Sequence, residues 1–242
     1  MLEVHAPHEA PHTWKSFLIH IATIVMGLFI AVGLEQSVEA LHRRHDVTDL
    51  REDLRAESRQ VLADARNSEA AHRYELRWLA TRIAQVQEAI RERRPVGPRE
   101  RNDMTNYASP DLPIWRSAKA GGRIALLSKG EVNAYAEVEY IQGHLDSLES
   151  AKNVSRYAVK SFNREFPVLP NGDPDLSGAS AEDLHAYLAL LSNAYVAIEA
   201  YIHWLRIIMG AESAVIEGKT ALEDIYASER KGAEGDVLRD FM

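Results

Sequence analysis

Three pairs in this sequence, Glu39/His42, Glu69/His72 and Glu182/His185, set a carboxylate and an imidazole three residues apart. On a helix that spacing brings both side chains to one face, one turn apart. Two such pairs and two further glutamates are what a four-helix bundle uses to hold a pair of iron or manganese ions. Running the seam Leu76, Leu79, Ile83, Val86 and Ile90 backward puts Glu69 and His72 on a packed face. Glu182 and His185 fall beside the stripe of their own helix. Such pairs are also common in charged helices. Glu69, His72, Glu182 and His185 are therefore the metal-ligand candidates, set against the plainer reading of a polar layer within a packed seam, with no metal and no other cofactor expected.

Other chemistry is sparse. Gly218-Lys219-Thr220 has the end of a phosphate-binding loop, but that motif needs a glycine at position 213, where Ser213 stands, and a strand-to-helix turn. The triplet reads instead as part of a helix surface. His5, His8 and His12, interleaved with Pro7 and Pro11, read as a polar lead-in. Tyr135, Tyr140, Tyr157, Tyr187, Tyr195 and Tyr201 read as bundle positions with phenolic ends toward water. The chain has no cysteine, which excludes disulfides, thiolate metal sites and a cysteine nucleophile. A net charge of -8 argues against nucleic acid as a partner, because phosphate contacts need a basic surface. The expectation is a protein that is not an enzyme.

The elements that would position any site begin with Phe17–Leu34, "FLIHIATIVMGLFIAVGL", 18 residues without a charge. As a helix it reaches about 27 Å, close to the roughly 30 Å of bilayer hydrocarbon. Trp14 and Lys15 precede it, suited to the headgroup level. Gly27 and Ala31 form a small-xxx-small pair that lets a second helix approach, or they reflect the ordinary glycine and alanine usage of spans. His20, one turn from the interface, reaches headgroup water or faces a partner helix. Ala31-Val32-Gly33 offers a signal-peptidase spacing, yet the preceding segment lacks a basic character and helical sequence continues through the cut. A retained transmembrane helix is the expectation, and a soluble exported bundle after cleavage is its alternative. Arg43, Arg44, Arg51 and Arg55 lean the orientation toward a cytoplasmic C-terminal part, but they alternate with acids, so the side stays open.

Beyond the anchor the pattern is helical to about Arg93, with Val47, Leu50, Leu54 and Val61 on a sparse seam that fits a two-stranded coiled coil and an intramolecular bundle equally. A loop with Pro95, Pro98, Pro110 and Pro113 follows. Ser128 and Glu131 form one capping box and Ser180 with Asp183 another. The first opens a helix through about Phe166, and the second opens one to about Ser228, whose Leu184, Leu188, Leu191, Tyr195, Ile198 and Ile202 alternate four and three apart. No stretch alternates apolar and polar as a strand would.

The expected fold is all-α: an N-terminal transmembrane helix continuing into a stalk helix, then an antiparallel bundle of three long helices and one short helix. The expected divisions are 1–16 flexible N-terminus, 17–34 span, 35–93 stalk, 94–113 proline-rich loop, 114–230 bundle and 231–242 frayed tail.

The segments "HAPHEAPHTW", Ile30–Gln36 ("IAVGLEQ"), "VEALHRRHDVTDLREDL" and Trp115–Tyr140 carry a resemblance to a recurrent group of bacterial single-pass membrane proteins. That group has no established activity. The resemblance implies a helical domain anchored in the bacterial inner membrane and adds no function. The partners expected from the anchor and the helix seams are the lipid bilayer and a second copy or another membrane protein. The function expected is that of a protein-interaction, scaffold or regulatory module, the alternative being the metal-binding bundle above.

Overall fold

The computed structural model describes residues 14–97, 109–170 and 174–234. The expectations for His5, His8 and His12, for Pro98, for the Asn171-Gly172 pair and for most of the tail lie outside the described residues. The described chain is all-helical: α1 (Trp14–Glu92), α2 (Pro113–Ala120), a 3-10 turn (Arg123–Leu126), α3 (Lys129–Asn163), α4 (Ala181–Ile216) and α5 (Leu222–Ala233). No strand occurs among the described residues; Val168 and Pro174 make one isolated bridge. The chain divides into two compact units, Met1–Leu50 and Arg51–Met242.

The first unit is described as the N-terminal part of α1 alone. Every residue from Trp14 to Asp46 is exposed. One window of this helix is long and apolar enough to cross a membrane, and none of that window is buried. Its few hydroxyls are satisfied locally: Thr23 Oγ1 donates to the Ile19 carbonyl at 2.9 Å and Ser37 Oγ to that of Gly33 at 2.7 Å. Back-bonding of this kind removes the cost of a polar atom in an apolar setting.

The second unit is a helical bundle. Arg51 pairs with Glu131, His72 with Lys152 and Glu75 with Arg156, at sequence separations of 80, 80 and 81. A constant separation means that this part of α1 and α3 run parallel. Helix α4 is antiparallel to both, since Arg206 meets Glu69 and Phe162 stacks on Tyr187. The parallel pair exists because the connection after α1 carries the chain back. Helix α1 stops where Arg93 takes φ 53° ahead of Pro95. The chain reappears beside α3, with Gln142 Nε2 donating to the Pro110 carbonyl at 2.8 Å. Helix α2 starts with Pro113 in its first turn, a position where the missing N–H costs nothing. Its next two amides, of Ile114 and Trp115, donate to the carboxylate of Glu57 on α1.

Both predicted capping boxes form, Ser128 with Glu131 and Ser180 with Asp183. The core joins Leu76, Leu79 and Val86 of α1, Val159 and Phe162 of α3, and Tyr187, Leu191 and Ile198 of α4. Each such side chain contributes about 1.5–3 kcal/mol on full burial, whereas the largely buried pairs Glu69–Arg206 and Glu75–Arg156 lose to desolvation much of what they gain. Hydrophobic packing therefore sets the stability, and the ion pairs mark the register. The sparse seam of Leu54 and Val61 is resolved as intramolecular, because both are buried within this unit.

Two expectations are corrected. The last helix does not continue to Ser228: α4 ends at Ile216 in a Schellman closure. Gly218 sits at φ +80°, its amide bonds the Val215 carbonyl at 2.9 Å, and the Lys219 amide reaches Ala214 at 3.0 Å. Gly218–Thr220 is thus the turn before α5 and not a helix surface. The turn folds α5 back so tightly that a Cβ on Gly210 would collide with the Ser228 carbonyl, and one on Gly232 with that of Arg206. Secondly, Tyr187 and Tyr201 do not reach water; both are fully buried.

Candidate functional site

The polar residues of the second unit gather where α1, α3 and α4 face one another. His72 is fully buried, and its Nδ1 lies 2.7 Å from the Ser68 carbonyl, one turn back. A carbonyl only accepts, so Nδ1 carries the proton and Nε2 is left as an acceptor. The Lys152 ammonium donates to that Nε2 at 2.9 Å. The same ammonium lies 3.9 Å from the centroid of the Tyr201 ring and 3.8 Å from Glu149. One turn further along, Glu75 takes both arms of the Arg156 guanidinium. On the other flank Arg206 Nε donates to Glu69 at 2.7 Å.

Burial and the nearby Lys152 charge push the His72 pKa down to about 3, so the imidazole is neutral. Burial and the Arg156 charge lower Lys152 to about 8. An amine with a depressed pKa has the chemistry for attack on a carbonyl, but Lys152 is 1% exposed and its protons are engaged. What this layer can do chemically is hold three helices in one register. Its ion pairs cost much of what they return in desolvation.

Two of the candidate metal ligands thus lie in the layer, and each already faces a cation of the protein itself: Glu69 meets Arg206, and His72 meets Lys152. Glu182 and His185 are exposed in the first turns of α4, with His185 Nδ1 donating to the Ala181 carbonyl at 2.7 Å. From His185 to Arg206, the partner of Glu69, the helix advances about 32 Å, so the four do not converge. Among the described residues no group of three or more His, Asp or Glu is placed to hold a metal ion.

Two buried charges could have been read from the sequence. Lys152 continues the α3 row Val138, Ile141, Leu145 and Leu148, and Glu212 continues the α4 row after Leu205 and Met209. A charge in register with an apolar stripe is the signal. Glu212 is fully buried with neither carboxylate oxygen hydrogen-bonded. Burial raises its pKa to about 8, helped by the charge of Glu57 and countered by the nearby Ser58 hydroxyl. Arg206 and Arg156 gave no such signal, because their positions lie off the stripes. An open groove of about 480 Å³ runs along α4 and α5, lined by Arg206, Ser213, Glu217, Lys219 and Lys231 among others. Its charges are of both signs, so it selects no ligand class.

The candidates in the first unit have the opposite surroundings. His20, Gly27 and Ala31 are all exposed, and a Cβ on Gly27 would meet nothing within 4 Å. The helix is open along this whole face. No family model, curated protein or solved structure matches the chain.

Proposed function

We propose that this chain is a single-pass membrane protein whose helical bundle serves as a non-enzymatic interaction, scaffold or regulatory module. One observation carries the reading: an apolar stretch of α1, of membrane-crossing length, has no residue buried inside the protein. Left in water, such a surface far exceeds what soluble monomers expose; hydrocarbon or another protein must cover it. The absence of a charge over 18 residues favours hydrocarbon. The non-enzymatic part rests on the bundle's own chemistry, in which His72, Lys152, Glu69 and Glu75 are engaged by one another and by arginines. A bacterial inner membrane is the location that the resemblance implies.

Carbonate extraction of membranes, followed by protease digestion of intact and permeabilised cells, tests this. Retention in the pellet is expected, with the bundle protected on one side only. A chain found in the supernatant, or one whose mass begins near residue 34, overturns the tether and leaves a soluble exported bundle.

A further inference from the structure

Beyond Leu34 helix α1 turns polar, yet Leu34, Val38 and Leu41 remain 63%, 52% and 64% exposed. Their neighbours are Glu35, Glu39, Arg43 and Arg44. Val38 and Leu41 stand about 6 and 10 Å past Leu34 along the axis, too far into a charged stretch for hydrocarbon to cover them. The three are not an isolated patch. Gly27, Ala31, Leu34, Val38, Leu41 and His45 follow at alternating steps of four and three, the spacing of one coiled-coil face. The face crosses from the apolar segment into the charged one without a change of phase.

It is also a different face from the one used in the bundle. The buried row Leu50, Leu54, Val61, Ala65, run backward at the same steps, passes the half-buried Val47 and then lands on Arg43, Ala40 and Gln36. Beyond Val47 that row is apolar only at one alanine. Leu34, Val38 and Leu41 belong to a second seam, one that no described residue covers.

We infer that this seam pairs with the same seam of a second copy, in parallel and in register. The inference rests on the tether proposed above, because chains inserted in one membrane with one orientation present the same residue at the same height. Charge agrees with that partner. With Leu34 and Leu41 at d and Val38 at a, Arg44 falls at g and Asp49 at the following e. In a parallel pair g of one chain faces e of the other five residues on, so Arg44 meets the opposite charge of Asp49 on both sides of the dimer. Within the apolar segment Gly27 and Ala31 let the two backbones approach. The polar part of the seam then adds what small residues in lipid do not supply, apolar surface taken out of water.

The chain has no cysteine, so single-cysteine variants of the full chain, oxidised mildly in native membranes, read the contact directly. Leu34→Cys, Val38→Cys and Leu41→Cys are expected to give a disulfide-linked product of twice the chain mass, several-fold more than Gln36→Cys, Ala40→Cys and Arg43→Cys. Placing Val38→Glu and Leu41→Glu together in a His45→Cys chain is expected to reduce that chain's product several-fold. A flat profile, or products of another mass only, in membranes that still hold the chain after carbonate washing overturns the paired seam and leaves the tether standing. Loss of the chain to the carbonate supernatant overturns both.

Discussion

Between Trp14 and Asp46 helix α1 buries no residue, whereas between Arg51 and Glu92 it buries leucines, valines, alanines, a histidine and two glutamates. The second stretch holds the residues with the richest chemistry, and its own bundle engages them: the imidazole of His72 by Lys152, the carboxylates of Glu69 and Glu75 by arginines. The first stretch is chemically plain and entirely available. Residue types that could catalyse therefore say little here about where this protein meets its surroundings. Availability says more.

The contrast can be broken most severely at the core. Tyr187→Ala, which empties a fully buried aromatic site against Phe162, is expected to lower the unfolding free energy of the full chain in micelles by about 3–5 kcal/mol. Gly210→Ala follows, because its Cβ would collide with the Ser228 carbonyl on α5; a loss of about 2 kcal/mol by denaturant titration is expected from that overpacking.

The buried carboxylate adds a pH signature. An acid whose pKa rises on folding holds more protons folded than unfolded, so its stabilising effect is complete below the unfolded value and is lost as pH rises through the folded one. Glu212, raised to about 8, and Glu229, raised to about 7, both act in this sense. His72 acts oppositely, since with a folded pKa of about 3 its contribution is lost as pH falls below 6.5. The window from pH 6.5 to 8 is clear of it. Stability should fall there by at most about 2 kcal/mol on account of Glu212, and Glu212→Gln should flatten that fall.

Smaller effects sharpen the comparison from the other side. Ser180→Ala removes one member of a formed capping box at the start of α4 and should cost about 1 kcal/mol. Val38→Glu, on the open face, should leave bundle unfolding within about 0.5 kcal/mol of the parent chain. A larger loss would mean that the bundle depends on that face, and the distinction between the two stretches would go.

How much of this was legible depended on whether the signal was local. The capping serines, the 4-3 rows of α4 and α1, and the all-helical class follow from neighbours within a turn or two. The end of α4 was equally local, since Gly218 followed by Lys219 is a Schellman ending, but the apolar residues around it read as one continuous helix. The partners of Glu69 and His72 were not legible. Arg206 lies 137 residues from Glu69 and Lys152 lies 80 from His72, and only the parallel placement of α1 and α3 brings them together. The spacing of Glu69 and His72 reported a shared face correctly; whether the third group on it was a metal or a lysine was decided by distant chain.

That parallel placement orders events during synthesis. A nascent α1 leaves the ribosome with its inward row already apolar, while the α3 residues that match it trail by 80 positions. At translation speeds of about 5–20 residues per second the gap lasts roughly 4–16 s. Throughout that interval the row waits uncovered, and α4, which lies antiparallel to both helices, arrives later still. Local contacts close more cheaply than distant ones, which favours an α3–α4 hairpin that α1 then docks onto. Until then the surface that the finished protein hides stays exposed.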